Sequence, residues 1–195
     1  PMTANTPDST ASRLVVRPLP NARFGAEISG LDPRNITPED EAVIWQAYRE
    51  RHGLICFEFD HLIEADELHA LTSVFGQNEV GPGKINGIGK GTPEGEEALS
   101  VEEQIARLQA QGDDPYLLYI GNVNPKTLEL KPVDEKFFGE WEWHTDMSYI
   151  EVPPTFSLLH AREIPEGEGE TGFCSQVMAA QALSPARRDL SLIHS

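Results

Sequence analysis

The chain has 195 residues, enough for one domain with a buried core, and a formal net charge of −17. That balance excludes a nucleic-acid surface built on clustered Lys and Arg, and it reads as solubility rather than as a property of any pocket. No apolar run approaches the ~20 residues of a membrane span and nothing resembles a signal peptide, so a soluble, cytoplasmic protein is expected. Cys56 and Cys174 stand far apart in apolar runs and read as buried thiols in a reducing compartment, not as a disulfide.

Residues 1–12 have the polar composition of a disordered tail, and residues 13–195 read as one domain. Leu14-Val15-Val16-Arg17 predicts a first strand, and Gly25 to Asp32 a short strand with a turn. Thr37-Pro38-Glu39-Asp40 predicts a helix start, with Thr37 as N-cap and Val43, Ile44, Ala47 and Tyr48 as the apolar stripe. Gly53 to Phe59 predicts a buried strand. A second amphipathic helix follows from about Glu64 to Phe75, turning Leu68, Leu71 and Phe75 inward. His52, His61 and His69 flank these elements and read as solvated or capping side chains rather than ligands.

Gly76 to Gly95 is irregular and Gly-rich. Gly87 to Thr92 lacks the full phosphate-loop pattern and no apolar strand leads into it, so a surface loop or lid is expected, part of an insertion over about 77–140. Leu99 to Gln111 predicts a polar helix and Tyr116 to Ile120 a strand. Further strands are expected over Thr155–Glu163 and Thr171–Val177, then a helix from Met178 and another capped by Ser184-Pro185. Helices in the first half and strands in the second suggest a mainly β fold with decorating helices, a sandwich or jelly roll.

Within this frame stands Trp143-His144-Thr145-Asp146-Met147-Ser148-Tyr149. On a strand, residues i and i+2 share a face, so His144 and Asp146 would project together. One imidazole and one carboxylate are two corners of the 2-His-1-carboxylate triad that holds non-haem Fe(II). Taken alone, the tripeptide reads as a surface or hydrogen-bonded His ahead of a metal ligand.

Further segments accompany this motif in order: Pro153-Pro154, Leu158 to Pro165, and Gly169-Glu170-Thr171. Upstream come Gly25 to Asp32, His52 to Phe57 and Phe75-Gly76; downstream come Ala182 to Pro185 and Ile193 to Ser195. Together they resemble the taurine dioxygenase/TfdA family, Fe(II)- and 2-oxoglutarate-dependent dioxygenases on a double-stranded β-helix (jelly roll). The resemblance implies His144 and Asp146 as iron ligands and Thr171 as the hydroxyl that helps hold the 2-oxoglutarate carboxylate. It places Asn122 where a loop enters the active-site mouth, with a substrate contact and a plain turn-forming Asn as the two readings.

The same resemblance implies that family members extend beyond the equivalent of Ser195, to a second His ligand and an Arg for the distal 2-oxoglutarate carboxylate. The chain is therefore expected to be incomplete at its C-terminal end. His194, which follows Asp146 by 48 residues, is a weaker candidate for the third ligand because no Arg follows it. The implied activity is hydroxylation of a small, anionic organic substrate with O2, giving succinate and CO2. The implied partners are that substrate and O2, with neither nucleic acid nor membrane, and a homo-oligomer is compatible with the chain. Two alternatives stay open: a catalytically incomplete family member acting as a weak metal-binding or interaction module, and a Zn hydrolase, for which no second His or acidic ligand stands at a recognisable spacing.

Overall fold

A computed structural model describes residues 13–81, 84, 99–121, 127, 129, 143–164, 166–167 and 170–191. The chain divides into two units, Pro1–Val74 with His160–Ser195, and Phe75–Leu159.

In the first unit, Val15–Pro18 (β1), Ala26–Ser29 (β2) and Ile55–Glu58 (β3) form a sheet in the order β1-β2-β3. β1 runs antiparallel to β2, from Val15 opposite Ser29 to Pro18 opposite Ala26. β2 and β3 are parallel, with Ala26 beside Ile55 and Ser29 beside Glu58. A parallel pair needs a crossover, and the helix Pro38–Glu50 (α1) supplies it. Burial on β2 alternates with the period of a strand: Ala26 and Ile28 are fully buried, while Glu27 and Ser29 are only half so. At the end of β2, Gly30 takes φ +86° and passes so close to Arg13 that a Cβ there would lie 3.0 Å from its carbonyl oxygen. Only glycine tolerates both conditions at once.

α1 begins where local chemistry directs. Thr37 Oγ1 accepts the Asp40 N–H at 3.1 Å and Asp40 Oδ2 accepts the Thr37 N–H at 3.1 Å, a reciprocal capping box. Pro38 occupies a first-turn position whose N–H would have no helical partner. The expected stripe faces inward, with Ile44 and Ala47 buried, Val43 and Tyr48 half-buried, and the helix packed on β2. His52 and Gly53, both at positive φ, end it, and the Gly53 N–H returns to the Tyr48 carbonyl at 2.9 Å. β3 departs from the expected buried strand. Its burial alternates because successive side chains point to opposite faces of the sheet, and Cys56 and Glu58 are exposed; among the described residues β3 is an edge strand. Both cysteines are free, as expected, but exposed rather than buried.

The helix Ala65–Ser73 (α2) opens on a second box, in which the Glu67 carboxylate accepts the Glu64 N–H at 2.8 Å. Leu71 is buried and Leu68 half-buried, as expected, but the helix ends before Phe75. Trp45 Nε1 donates to the Val74 carbonyl at 3.2 Å and ties α1 to the end of α2.

In the second unit, the helix Val101–Ala110 (α3) matches the expected polar helix and buries no residue. Its start therefore rests on local bonds: Ser100 Oγ accepts from Glu103 N at 3.2 Å, and Glu103 accepts from Ser100 N at 2.8 Å. Elsewhere in this unit Gly81 N donates to the Pro115 carbonyl at 2.8 Å, Lys84 pairs with Asp113 at 3.3 Å, and Phe75 meets Phe156 with ring centroids 5.0 Å apart. Back in the first unit come two helices, Gln176–Ala182 (α4) and Pro185–Ser191 (α5), which follow Ser175 and Ser184. Arg188 donates to the carbonyls of Ala180 and Gln181, both at 3.3 Å, satisfying the end of α4.

The strands expected over Tyr116–Ile120, Thr155–Glu163 and Thr171–Val177 form no ladder among the described residues. The three paired strands among the described residues lie instead within the first 60 positions. From Pro154 to His160 the side chains nonetheless alternate between half-buried and exposed, the period of an extended chain. An apolar pattern encodes that local alternation, whereas a ladder also needs a second chain segment alongside. The double-stranded β-helix is thus not displayed by the described residues, which show a three-stranded mixed sheet with helices.

Candidate metal pair and a charge cluster on buried Glu67

His144 and Asp146 come together as their spacing predicts, but on a different backbone. Trp143 to Thr145 join no strand, and Asp146 to Tyr149 form a turn in which Ile150 N donates to the Met147 carbonyl at 3.2 Å. His144 Nε2 lies 3.5 Å from Asp146 Oδ1, with the side chains 50% and 58% exposed. Two donors each about 2.1 Å from a shared ion, at right angles, stand about 3.0 Å apart, so a small side-chain rotation would let both reach one metal. A neutral imidazole nitrogen with a carboxylate oxygen also matches the donor preference of Fe(II). No group of three or more His, Cys, Asp or Glu able to hold a metal occurs among the described residues, so the pair offers two ligands.

Thr171 lies in the first unit, exposed, on the segment leading into α4. Asn122, His194 and most of the Gly76–Gly95 loop lie outside the described residues. His160, half-buried, has its pKa pushed down by burial and by Arg162, against a smaller upward pull from Glu64, which favours neutral imidazole. Arg162 Nη1 stands 3.9 Å from Glu64 Oε2.

A second polar constellation, which the sequence reading missed, sits in the first unit. Glu67 is 4% exposed and receives Arg34 Nε at 2.7 Å and His61 Nε2 at 3.0 Å on the same oxygen. The other oxygen holds the start of α2. His61 Nδ1 meets Asp60 at 2.7 Å, so one imidazole bridges two carboxylates. The hydrogen bond to Asp60, then that to Glu67, raises the His61 pKa above its ordinary 6.5. Asp60 is lowered mainly by its hydrogen bond to His61, and Glu67 mainly by the Glu64 N–H. The cluster borders a half-open cavity of about 500 Å³ that Arg13, Asp32 and Glu58 also line. Glu64-x-x-Glu67 was legible as a cap, but nothing local shows that Arg34 and His61, 27 residues apart, converge on it.

Residues 16–192 match the taurine catabolism dioxygenase TauD, TfdA family, and the chain belongs to that family. Among curated proteins it is similar to an alpha-ketoglutarate-dependent sulfonate dioxygenase of Saccharomyces cerevisiae, 33% identical over 78 residues. That match covers 40% of this chain and 19% of the relative's length. No solved structure matches the chain.

Proposed function

We propose that this chain carries part of the active site of an Fe(II)- and 2-oxoglutarate-dependent dioxygenase that hydroxylates a small anionic organic substrate. The observation that carries this reading is the His144–Asp146 pair, 3.5 Å apart, within a stretch that matches the family over residues 16–192. His144 Nε2 and Asp146 Oδ1 would be two of the iron ligands, with the carboxylate offsetting part of the metal's charge. Bound Fe(II) with 2-oxoglutarate supplies O2 activation, by which one oxygen atom enters a substrate C–H bond and the other enters succinate as CO2 leaves. The Thr171 hydroxyl would donate a hydrogen bond to a carboxylate of 2-oxoglutarate, a charge-assisted contact that fixes the cosubstrate's orientation. By the family resemblance Asn122 would stand on the substrate side, a turn-forming Asn being the alternative. The fold proposed for the whole domain is the jelly roll of the family. A sulfonate-dioxygenase relative supports a sulfonate or similar organic anion as substrate.

The test is an anaerobic titration of the complete natural polypeptide with Fe(II) and 2-oxoglutarate, followed by visible absorbance. A charge-transfer band is expected, and it should vanish in His144→Ala and Asp146→Ala. Succinate release in air, screened over sulfonates and aryloxy acids, then identifies the substrate class. Absence of the band from the complete polypeptide overturns the reading.

A further inference from the structure

The closeness of His144 and Asp146 needs a cause beyond their attraction. Both side chains are half exposed, so solvent screens the pair and Coulomb energy holds it only weakly. The neighbouring backbone offers another cause. Among the described residues, three that are not glycine have positive φ: Asn21 at 59°, His52 at 59° and Met147 at 51°. Asn and His are types enriched in that region because their side chains can support it by local hydrogen bonds; a long apolar side chain such as Met has no such compensation. A backbone state of this kind persists where its surroundings over-determine it, and such residues gather at functional sites. Met147 directly follows Asp146, its carbonyl closes the turn by accepting the Ile150 N–H, and its side chain is half-buried between exposed neighbours.

We propose that Met147 is a positioning residue for the metal pair. The inference rests on the dioxygenase reading and deepens it. Its left-handed backbone turns the chain immediately after Asp146, and the Met147–Ile150 turn locks that conformation. The Asp146 carboxylate is thereby held beside the His144 imidazole before any ion arrives. Met147 itself touches no reacting atom.

The experiment measures Mn(II) affinity by electron paramagnetic resonance, with the ion alone as probe, on the complete natural polypeptide. Met147→Val puts a β-branched residue where left-handed backbone is most costly. Its Kd should rise about tenfold, equivalent to roughly 1.4 kcal/mol spent in restoring the turn. Met147→Asn, a residue at home in this conformation, should stay within about twofold of the natural protein. Met147→Gly adopts the conformation without strain but does not lock it, so it should fold and bind a few-fold more weakly. Its metal-free melting midpoint should stay close to that of the natural protein, which separates positioning from general stability. Unchanged affinity in Met147→Val, or in Met147→Gly should the valine variant not fold, overturns the proposal. An equal loss in Met147→Asn and Met147→Val also overturns it, because the thioether rather than the backbone would then matter. Undiminished Mn(II) binding in both His144→Ala and Asp146→Ala would instead bring down the underlying reading.

Discussion

Ile44 is the side chain through which α1 seats on the sheet, and truncating it tests the packing directly. It is fully buried on the inner face of a helix that packs on β2, whose own inward residues, Ala26 and Ile28, are also fully buried. Ile44→Ala removes three buried carbons, worth about 0.8 kcal/mol each in transfer free energy. The space left behind closes poorly, because α1 is pinned by its capping box at one end and by the Gly53 N–H bond to the Tyr48 carbonyl at the other. Adding a cavity term brings the expected loss to about 3 kcal/mol, against about 1 kcal/mol for Ile44→Val. For a chain of this size that corresponds to a melting midpoint lower by roughly 6–12 °C. Urea unfolding followed by tryptophan fluorescence is the assay, since Trp45 lies on α1 and is hydrogen-bonded to the Val74 carbonyl. Val15→Ala, on a residue 44% exposed, serves as the control and should change stability by under about 0.5 kcal/mol. An alanine variant no less stable than the valine variant would refute the packing described for α1.

The His61 bridge makes stability pH-dependent with a definite sign. Its folded pKa is raised, so its contribution is complete below the ordinary 6.5 and is lost as pH rises through the raised value. Asp60 and Glu67 are lowered, so theirs is complete above their ordinary 3.8 and 4.5 and is lost as pH falls through the depressed values. The denaturation midpoint of the natural protein should therefore exceed that of His61→Gln most clearly between those limits, about pH 5 to 6. A gap that is constant from pH 5 to 9 would show that the bridge does not titrate. The cysteines give another test: a thiol reagent should modify both in the folded protein without reductant. Partial burial first, then the carboxylates of Glu27 and Glu58, raise the Cys56 pKa, so lower thiolate content should slow its reaction relative to a free-thiol standard. Protection of either thiol until the protein unfolds would contradict the exposed placement.

What the sequence by itself determined is local. Thr37 and Ser184 stand at helix starts as their sequence context directs, because a cap bonds to backbone groups only three residues away; Ser175, which read as part of a strand, caps α4 instead. The α1 stripe was legible for a related reason, since helical periodicity decides which side chains share a face before any partner is known. The two-residue spacing of His144 and Asp146, within an ordered series of family segments, likewise sufficed to nominate them. Tertiary structure decided which segments pair, and therefore that β3 is an edge strand with Cys56 and Glu58 exposed while three apolar stretches later in the chain form no ladder among the described residues. It also decided that Arg34 and His61 meet on buried Glu67, a convergence of residues far apart in the chain. At His144 and Asp146 it replaced the expected strand with a turn entered through Met147 in the left-handed region. Residue type disfavours that state, and only surroundings that repay its strain could select it.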